Sequence, residues 1–265
     1  MLIGHDNLTQ NFKKIIDGNK FSHAYLFFGE PEVGKFSFAL ALGNYLETGS
    51  FDEPSGPLTE TFIIRPDEKG TIGIDSAREL KRFLLQTPVR SSRRMVIIDN
   101  AEWLTAQAQQ AILKIVEEPP QTALIILIVS NSDSLLPTLQ SRMQKIYFPR
   151  VATALIVSML VKKVRVAKTE STRIAQISFG RPGRAIKLAG NRKQESGIRN
   201  KKELVGGMVE DPEFLREQLS EIIAKLARDP VKNYKTLRSI IGRLTKISQF
   251  NTNKRLQLES ALWNI

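Results

Sequence analysis

Cysteine is absent from this chain of 265 residues, and histidine occurs only twice. Disulfides, thiolate zinc sites and cysteine nucleophiles are therefore excluded, and few imidazole side chains are present for catalysis or metal binding. Long apolar runs are also missing, since no stretch approaches the roughly 18 uninterrupted apolar residues of a membrane span. The first ten residues, MLIGHDNLTQ, lack the basic and then apolar pattern of a secretory signal. We expect a cytoplasmic protein without a membrane partner.

The net charge of +12 is unevenly distributed along the chain. Residues 1–150 carry 16 Lys and Arg against 17 Asp and Glu, whereas residues 151–265 carry 23 against 10. Such asymmetry favours a polyanionic partner such as DNA, because neutralised phosphates release counterions. Basic helical surfaces also pair with acidic proteins, so the charge alone leaves both kinds of partner open.

Residues 1–150 alternate short apolar runs with amphipathic stretches, which is typical of a parallel sheet covered by helices. The predicted strands are residues 24–28, 61–65, 95–99, 124–130 and 145–148. The predicted helices between them are residues 7–17, 35–46, 74–86 and 105–118. Thr105 can cap the last of these helices, and Pro119 and Pro120 stop it.

The strand pattern ends near residue 150. Residues 152–189 predict a small helical unit interrupted by Gly180, Pro182 and Gly183, and residues 191–197 predict a polar linker. Residues 201–265 show the helical spacing of an amphipathic region, as in Phe214, Leu215, Leu219, Ile222, Ile223 and Leu226.

A strand, a glycine-containing turn and a helix are predicted in succession at residues 25–37. Gly29, Gly34 and Lys35 fit a phosphate-binding loop, in which backbone N–H groups wrap the phosphates and the lysine reaches the terminal ones. The next position should be Ser or Thr to bind Mg²⁺, but it is Phe36, and Ser37 is rotated by about 100° around the helix. Two interpretations stay open: weak ATP or ADP binding, or an inherited strand-to-helix turn.

Asp99 directly follows the apolar strand that begins at Met95. A carboxylate at the C-terminal end of a parallel strand can face a Mg²⁺-bound nucleotide. Taken in isolation, the same pattern fits an ordinary strand followed by an Asp cap. Asp99 is therefore a candidate nucleotide-site residue only together with the loop that ends at Lys35.

Several motifs occur in the same order as in a known family. They read HAYLF at residues 23–27, RPD at 65–67, IGIDSAREL at 72–80, IIDNA at 97–101, LKIVEEPP at 113–120 and LLPTLQSRM at 135–143. Together they resemble the clamp-loader branch of the AAA+ family, in particular delta-prime sequences of bacterial DNA polymerase III. The resemblance implies an α/β AAA+ P-loop-type parallel sheet domain at residues 1–150, a small helical lid domain at 151–194 and a C-terminal all-α collar domain at 195–265 that makes the oligomer.

The resemblance gives Arg142 the most specific role. Ser141, Arg142 and Met143 are similar to the family's Ser-Arg-Cys motif, whose arginine reaches into the nucleotide site of the next subunit. A guanidinium suits that task because it stays charged and forks onto phosphate oxygens. The alternative is a surface arginine that binds a helix C-terminus or a carboxylate. Met143 replaces the family's cysteine, and its thioether can fill a similar buried space.

Other positions depart from the pattern of active relatives. The glutamate that polarises the attacking water is replaced by Asn100, with Glu102 two residues later. The second-sensor arginine aligns with Gly183, between Arg181 and Arg184, so this sensor is missing unless the register shifts by one residue. Together with Phe36, these departures imply that the chain hydrolyses little or no ATP alone. Ser130 falls at the position of the family's first sensor, although a strand-end hydroxyl is commonly a cap. The family's four-cysteine zinc module is missing from residues 47–60, so a short polar loop without zinc is expected there.

The resemblance also implies partners. We expect a non-hydrolysing subunit that joins gamma/tau-type and delta-type subunits, needs no cofactor of its own, and helps to place a sliding clamp on primed DNA. Arg90, Arg93 and Arg94 could face duplex phosphates in that assembly, or could simply form a solvated loop. Two other functions stay open: an autonomous AAA+ ATPase motor of the gamma/tau type, and a DNA-binding module that acts outside a ring.

Overall fold

The computed structural model describes residues 2–18 and 20–195, together with Tyr234 and Arg238. The predicted collar domain and the amphipathic segment from Phe214 to Leu226 therefore lie almost entirely outside the described residues. The chain divides into two compact units, Met1–Lys187 and Leu188–Ile265. The features below belong to the first unit, except that the last helix continues to Glu195. The predicted boundary near residue 150 stays a prediction.

Five strands alternate with helices in this unit. The strands are β1 (Ala24–Phe28), β2 (Thr61–Ile64), β3 (Arg94–Ile98), β4 (Ala123–Val129) and β5 (Gln144–Tyr147). The helices are α1 (Asp6–Asp17), α2 (Lys35–Thr48), α3 (Ile74–Leu84), α4 (Ala106–Glu117), α5 (Pro137–Gln140), α6 (Thr153–Met159), α7 (Lys168–Ile177) and α8 (Pro182–Glu195). All of the predicted strands and helices of residues 1–150 are confirmed within one or two residues at each end, the normal variation of such limits.

The strands form one sheet in the order β2-β3-β4-β1-β5, and every neighbouring pair is parallel. Apolar side chains alternate between its two faces. On β1, Leu26 packs with the side chains of α3 and α4, whereas Tyr25 and Phe27 pack with those of α1 and α2. A sheet covered on both faces explains why β4 is buried along its whole length and reads as an unbroken apolar run.

Local signals in the sequence set the limits of several helices. The Thr105 side chain accepts a hydrogen bond from Ala108 N at 3.2 Å, which confirms the predicted cap of α4. That helix ends at Glu117, just before Pro119 and Pro120. Within the described residues, none of the helices is long and apolar enough to cross a bilayer.

After β5 the chain is helical, as predicted for residues 152–189. A π-helical segment, Leu160–Val164, follows α6 directly. Gly180 separates α7 from α8, and Pro182 is the first residue of α8, a position that needs no backbone N–H. The predicted linker of residues 191–197 is wrong in its first part, because α8 continues to Glu195. Its polar residues lack a Gly or Pro break there, and Arg, Lys, Gln and Glu favour helices.

Residues 49–60, which connect α2 to β2, form the irregular loop that the sequence predicted. Its start is fixed by the Asn44 side chain, which donates to Ser50 O at 3.0 Å and Asp52 O at 3.2 Å. Its end is fixed by the Glu47 carboxylate, which accepts from Glu60 N at 2.8 Å. Both anchoring side chains come from α2, so the loop stays close to that helix.

Glu60 is a buried carboxylate at the start of β2, with 3% of its surface exposed. Its Oε1 accepts from Val89 N at 2.8 Å and Arg90 N at 3.1 Å, and its Oε2 lies 3.4 Å from Arg94 Nε. Burial raises the pKa of the Glu60 carboxyl, but the two backbone N–H groups and the Arg94 guanidinium outweigh it and lower the pKa overall. The carboxylate therefore holds the turn before β3 in place.

We predict that Glu60→Gln lowers the free energy of unfolding by about 1–3 kcal/mol at pH 7, because the charge-assisted bonds and the Arg94 partner are lost. Urea denaturation measures this difference, with Glu79→Gln on the exposed side of α3 as the control. Since the folded pKa is lowered, the contribution of Glu60 is present above the unfolded pKa of about 4.3 and disappears as pH falls through the folded value. Equal stability of the two variants at pH 7 would contradict this role.

Candidate functional site

The predicted nucleotide-site residues meet at the carboxyl edge of the sheet. Strand β4 lies between β3 and β1, with Ile98 opposite Leu127 and Phe28 opposite Val129. Because all three strands are parallel, the loop after β1, Asp99 after β3 and Ser130 after β4 all emerge at this edge. It is the edge at which open α/β sheets bind ligands.

The loop of residues 29–34 joins β1 to α2 and has the shape of a phosphate-binding turn. Gly29 has φ 141°, and a Cβ there would lie 2.5 Å from Phe148 O, so only glycine fits. Glu32 also has a positive φ of 64°. Helix α2 starts at Lys35, so its free N–H groups and its dipole point towards the loop.

Lys35 is folded back onto its own loop and is only 6% exposed. Its Nζ donates to Glu30 O at 2.7 Å and to Gly29 O. Burial lowers the pKa of the Lys35 amine to about 8, although the carboxylates of Glu102, Asp99 and Glu30 oppose the shift. The lysine that should meet the phosphates thus binds the backbone of the loop in this conformation.

Two residues from other parts of the chain, Arg150 and His5, also contact the loop of residues 29–34. The Arg150 guanidinium pairs with the Glu30 carboxylate, with Nε 2.9 Å from Oε1. The His5 ring donates from Nε2 to Val33 O at 2.8 Å. Burial lowers the pKa of His5, in keeping with a neutral ring whose Nδ1 is buried without a hydrogen-bond partner among the described residues. The contacts of His5 and Arg150 with this loop were not predicted from the sequence.

Gly183, with which the sequence aligns the second-sensor arginine, lies directly against the loop. Its N–H donates to Glu32 O at 3.0 Å, and a Cβ on Gly183 would meet Glu32 Cβ at 2.9 Å. One turn further along α8, Lys187 Nζ lies 2.7 Å from Glu32 Oε1. This close approach explains the glycine, because an arginine side chain would displace either α8 or the loop.

Phe36 takes part in a cluster that the sequence did not predict. The Arg65 guanidinium carbon lies 4.7 Å from the centre of the Phe36 ring, within the range of a cation–π contact. Arg65 Nε also lies 3.6 Å from Asp99 Oδ2. Burial raises the pKa of Asp99, and the positive charge of Arg65 opposes this. The candidate metal carboxylate therefore has a side-chain cation as its partner.

These contacts test whether a Mg²⁺ ion fits the site. Mg²⁺ needs oxygen ligands in near-octahedral geometry, whereas Phe36 contributes a ring and Asp99 faces a guanidinium. A cation close to Arg65 would also be repelled by it. The residues present do not fit the metal of an active P-loop ATPase.

The contacts of Glu102, two residues after Asn100, were not predicted from the sequence. Asn100 is exposed and left-handed, with φ 54°, and starts the 3₁₀ turn Ala101–Trp103. That turn brings Glu102 to Ser130, whose Oγ donates to Glu102 Oε1 at 2.9 Å. Glu102 Oε2 is buried, and no hydrogen-bond partner for it exists in the described part of the chain. The predicted sensor hydroxyl thus binds a carboxylate close to Lys35 and Asp99.

Arg142 lies just after the short helix α5, and the contacts of its neighbours fix that helix. Leu139 and Met143 are buried in the core cluster on the α4 side of the sheet, which confirms that the Met143 thioether fills a buried space. Arg142 itself is on the surface, with 43% of its side chain exposed. Its Nε lies 2.9 Å from Glu117 Oε1, and it donates to Thr138 O at 3.0 Å. These are the contacts of the alternative, a surface arginine bound to a carboxylate and to a helix carbonyl. The guanidinium is anchored on one side and partly exposed, and its role in another subunit stays a prediction.

The three arginines around the start of β3 differ in their surroundings. Arg94 is largely buried between Glu60 and the Phe83 ring, whose centre is 4.6 Å from the guanidinium carbon. The Arg93 side chain donates to Gln121 O at 3.1 Å, and Arg90 is exposed. Contact of these residues with DNA stays a prediction.

Comparison with known proteins relates this chain to subunits of DNA polymerase III. The family model described as "DNA polymerase III, delta subunit" matches residues 4–152, which is more than half of the chain. Among curated proteins, DNA polymerase III subunit gamma/tau of Mycobacterium tuberculosis is 32% identical over 133 residues, covering 45% of this chain and 23% of that protein. DNA polymerase III subunit delta' of Pseudomonas aeruginosa is 30% identical, covering 37% of this chain and 34% of that protein. The match thus spans about a quarter to a third of the length of these relatives.

Solved structures agree on the fold. A DNA polymerase III gamma subunit-related protein from Thermotoga maritima superposes with a TM-score of 0.60 at 20% identity, covering 96% of this chain and 97% of that chain. RuvB from Thermotoga maritima superposes with a TM-score of 0.57 at 16% identity, covering 97% of this chain and 88% of that chain. The sheet and its helices therefore have the AAA+ fold that the motifs implied.

We predict that the Lys35 amine titrates at about pH 8, well below the value of about 10.4 for an exposed lysine. NMR of protein labelled at lysine Cε measures the midpoint, and Lys35→Arg identifies the signal. Because the folded pKa is lowered, the unfolded chain binds more protons between these two values, so the contribution of Lys35 to stability rises with pH across that window. A midpoint near that of an exposed amine would show that Nζ is not buried in the loop.

Proposed function

We infer the function of this chain from its family: it belongs to the family described as "DNA polymerase III, delta subunit", within the clamp-loader AAA+ proteins. Relatives include proteins named both gamma/tau and delta'. We propose that the chain is a delta-prime-like subunit of a bacterial DNA polymerase III clamp loader. Its task would be to complete the ATPase site of a neighbouring subunit, not to turn over ATP itself.

Arg142 is the residue that we assign to this task. Its guanidinium is held at a fixed place by Glu117 and Thr138 while 43% of its side chain stays exposed. An arginine presented in this way can enter a pocket on another subunit and stabilise the charge that develops on a transferred phosphoryl group. The observation that supports the proposal most directly is this anchored but open guanidinium at the motif position.

The residues around the loop of residues 29–34 support the proposal that this chain does not hydrolyse ATP itself. Phe36 and Asn100 replace the metal ligand and the water-activating glutamate of active relatives, and Gly183 replaces the second sensor. Since Arg65 pairs with Asp99, the site has the features of one that no longer hydrolyses ATP. The proposed assembly needs no cofactor or zinc in this chain, and ATP or ADP would bind weakly at residues 29–35.

The proposed partners follow from the family. They are the gamma/tau and delta types of clamp-loader subunit, the sliding clamp and, through the complex, primed DNA. The positive charge of residues 151–265 suits either acidic neighbours or DNA. Loading a clamp at a primer would then be the work of the assembly, with this chain as a non-hydrolysing member.

A second candidate function is an autonomous gamma/tau-like ATPase motor. One observation favours it: the Glu102 carboxylate, held by Ser130, is close enough to Lys35 and Asp99 to affect their pKa values. It could replace the glutamate lost at Asn100. The absence of a metal ligand at Phe36 weighs against this alternative.

We predict that Arg142→Ala in the reconstituted complex lowers the DNA-stimulated ATPase rate at least about tenfold, because arginine fingers contribute about 10³–10⁵ to turnover in related phosphoryl transfers. Clamp loading on primed DNA should fall in parallel. Steady-state phosphate release and a clamp-loading assay measure the two rates.

The matched control for that experiment is Arg173→Ala, because Arg173 is 37% exposed and pairs with Glu170 on α7. Size-exclusion chromatography should show that both variants still assemble. Unchanged ATPase and loading rates with Arg142→Ala in an intact complex would remove the trans role.

We further predict that the purified chain releases phosphate from ATP no faster than its Lys35→Ala variant, with and without Mg²⁺. The physical reason is that a phenyl ring cannot bind the metal and Asn100 cannot act as a base. Glu102→Gln separates the alternatives. Magnesium-dependent turnover that is lost in both Lys35→Ala and Glu102→Gln would establish the motor function instead.

A further inference from the structure

The Arg65 guanidinium contacts the two positions from which an active P-loop protein binds its divalent cation. The hydroxyl that normally follows the loop lysine and the carboxylate at the end of β3 hold that ion between them. Here Phe36 and Asp99 occupy these two positions, and Arg65 contacts both, at 4.7 Å from the ring centre and 3.6 Å from Oδ2. A positive charge is thus built into the site by the chain itself.

The backbone keeps Arg65 in this place. Residue 65 directly follows β2, residue 99 directly follows β3, and the two strands pair with Ile64 opposite Ile98. Asp99 N donates to Ile64 O at 2.9 Å, which continues the pairing beyond the strand ends. Arg65 and Asp99 are therefore adjacent because of strand register, and Phe36, on the first turn of α2, provides a flat surface for the guanidinium.

Arg65 retains donors for a ligand. Its side chain is 58% exposed, and its contacts within the described residues use Nε and the flat face of the guanidinium. The two terminal nitrogens, with four N–H groups, make no hydrogen bond or ion pair with the described residues and can donate to a ligand. A guanidinium binds phosphate oxygens in bidentate fashion, and it does so without the ordered water shell that Mg²⁺ requires.

We propose that Arg65 takes the place of the divalent cation, so that the loop of residues 29–35 binds the phosphates of a nucleoside diphosphate or triphosphate without Mg²⁺. Lys35 would leave the carbonyls of Gly29 and Glu30 to meet the same phosphates. The guanidinium supplies positive charge but cannot activate a water as a metal does, so a bound nucleotide stays intact. The proposal extends the weak nucleotide binding proposed above and is independent of the role of Arg142.

Isothermal titration of the full-length chain with ADP tests it, once in EDTA and once with Mg²⁺ in excess. We expect ADP to bind at least as tightly in EDTA as in excess Mg²⁺, since no metal contributes to binding and a Mg²⁺ ion on the ADP phosphates would be repelled by Arg65. Arg65→Ala should weaken ADP binding in EDTA by about tenfold or more, the effect of losing hydrogen bonds to a charged group. Arg78→Ala is the control, because Arg78 is 65% exposed and pairs with Asp75 on α3.

A second measurement separates a structural effect from the proposed one. In the double variant Phe36→Thr, Arg65→Ala, the hydroxyl and the free Asp99 should together bind a metal. The free-ion EPR signal of a mixture of Mn²⁺ and ADP should therefore fall below its value without protein when this variant is added. The wild-type chain should leave that signal unchanged. Circular dichroism shows whether Arg65→Ala folds. If it does not, Arg65→Lys replaces it, because lysine keeps the charge but lacks the two parallel N–H donors of a guanidinium. This variant should still bind ADP in EDTA, with an affinity several-fold lower than that of the wild-type chain.

Three results would overturn the proposal: ADP binding that requires Mg²⁺, no ADP binding by the wild-type chain in either buffer, or unchanged binding by Arg65→Ala. None of these bears on Arg142, whose variant is read out in the ATPase rate of a neighbouring subunit. Conversely, a failure of the Arg142 experiment leaves the titration with ADP fully interpretable.

Discussion

Parallel pairing of β1, β3 and β4 is the constraint on which the candidate site depends. Because Phe28 lies opposite Val129 and Ile98 opposite Leu127, three chain segments that are distant in sequence emerge together at one edge of the sheet. The pairing is stabilised by apolar packing on both faces, and this packing requires nothing of the polar residues beyond the strand ends. The fold can therefore persist while the chemistry at its edge changes.

The substitutions at the edge illustrate this independence. Phe36 packs against the edge of the core but is only partly buried, and Asn100 is exposed, so neither position lies inside the core. By contrast, Gly29 and Gly183 are fixed by the close approach of Phe148 and Glu32. The loop thus keeps its shape through steric constraints, while Phe36 and Asn100 stand where the resemblance implies a metal ligand and a water-activating glutamate. A family fold with altered catalytic positions is the expected result.

The sequence predicted the sheet, its helices and the grouping of Gly29, Lys35 and Asp99, because apolar periodicity and motif order depend on neighbours along the chain. It did not predict the role of Arg65, since a contact with both Phe36 and Asp99 depends on the pairing of β2 with β3. Arg94 likewise looked like a surface residue, yet its side chain is enclosed by Glu60 and Phe83. Long-range ion pairs of this kind leave no local signal.

Two arginines illustrate opposite uses of the same chemical group. In the proposed roles, Arg65 is a permanent counter-charge inside its own subunit, whereas Arg142 acts on a phosphate bound elsewhere. A metal ion arrives and leaves with its nucleotide, but a guanidinium stays attached to the chain and keeps its proton at any ordinary pH. A site in which Arg65 supplies the positive charge would therefore keep the same number of protein charges before and after each ATPase cycle of the neighbouring subunits. A constant local charge suits a subunit whose contribution to an ATPase cycle is to present Arg142 in one fixed position.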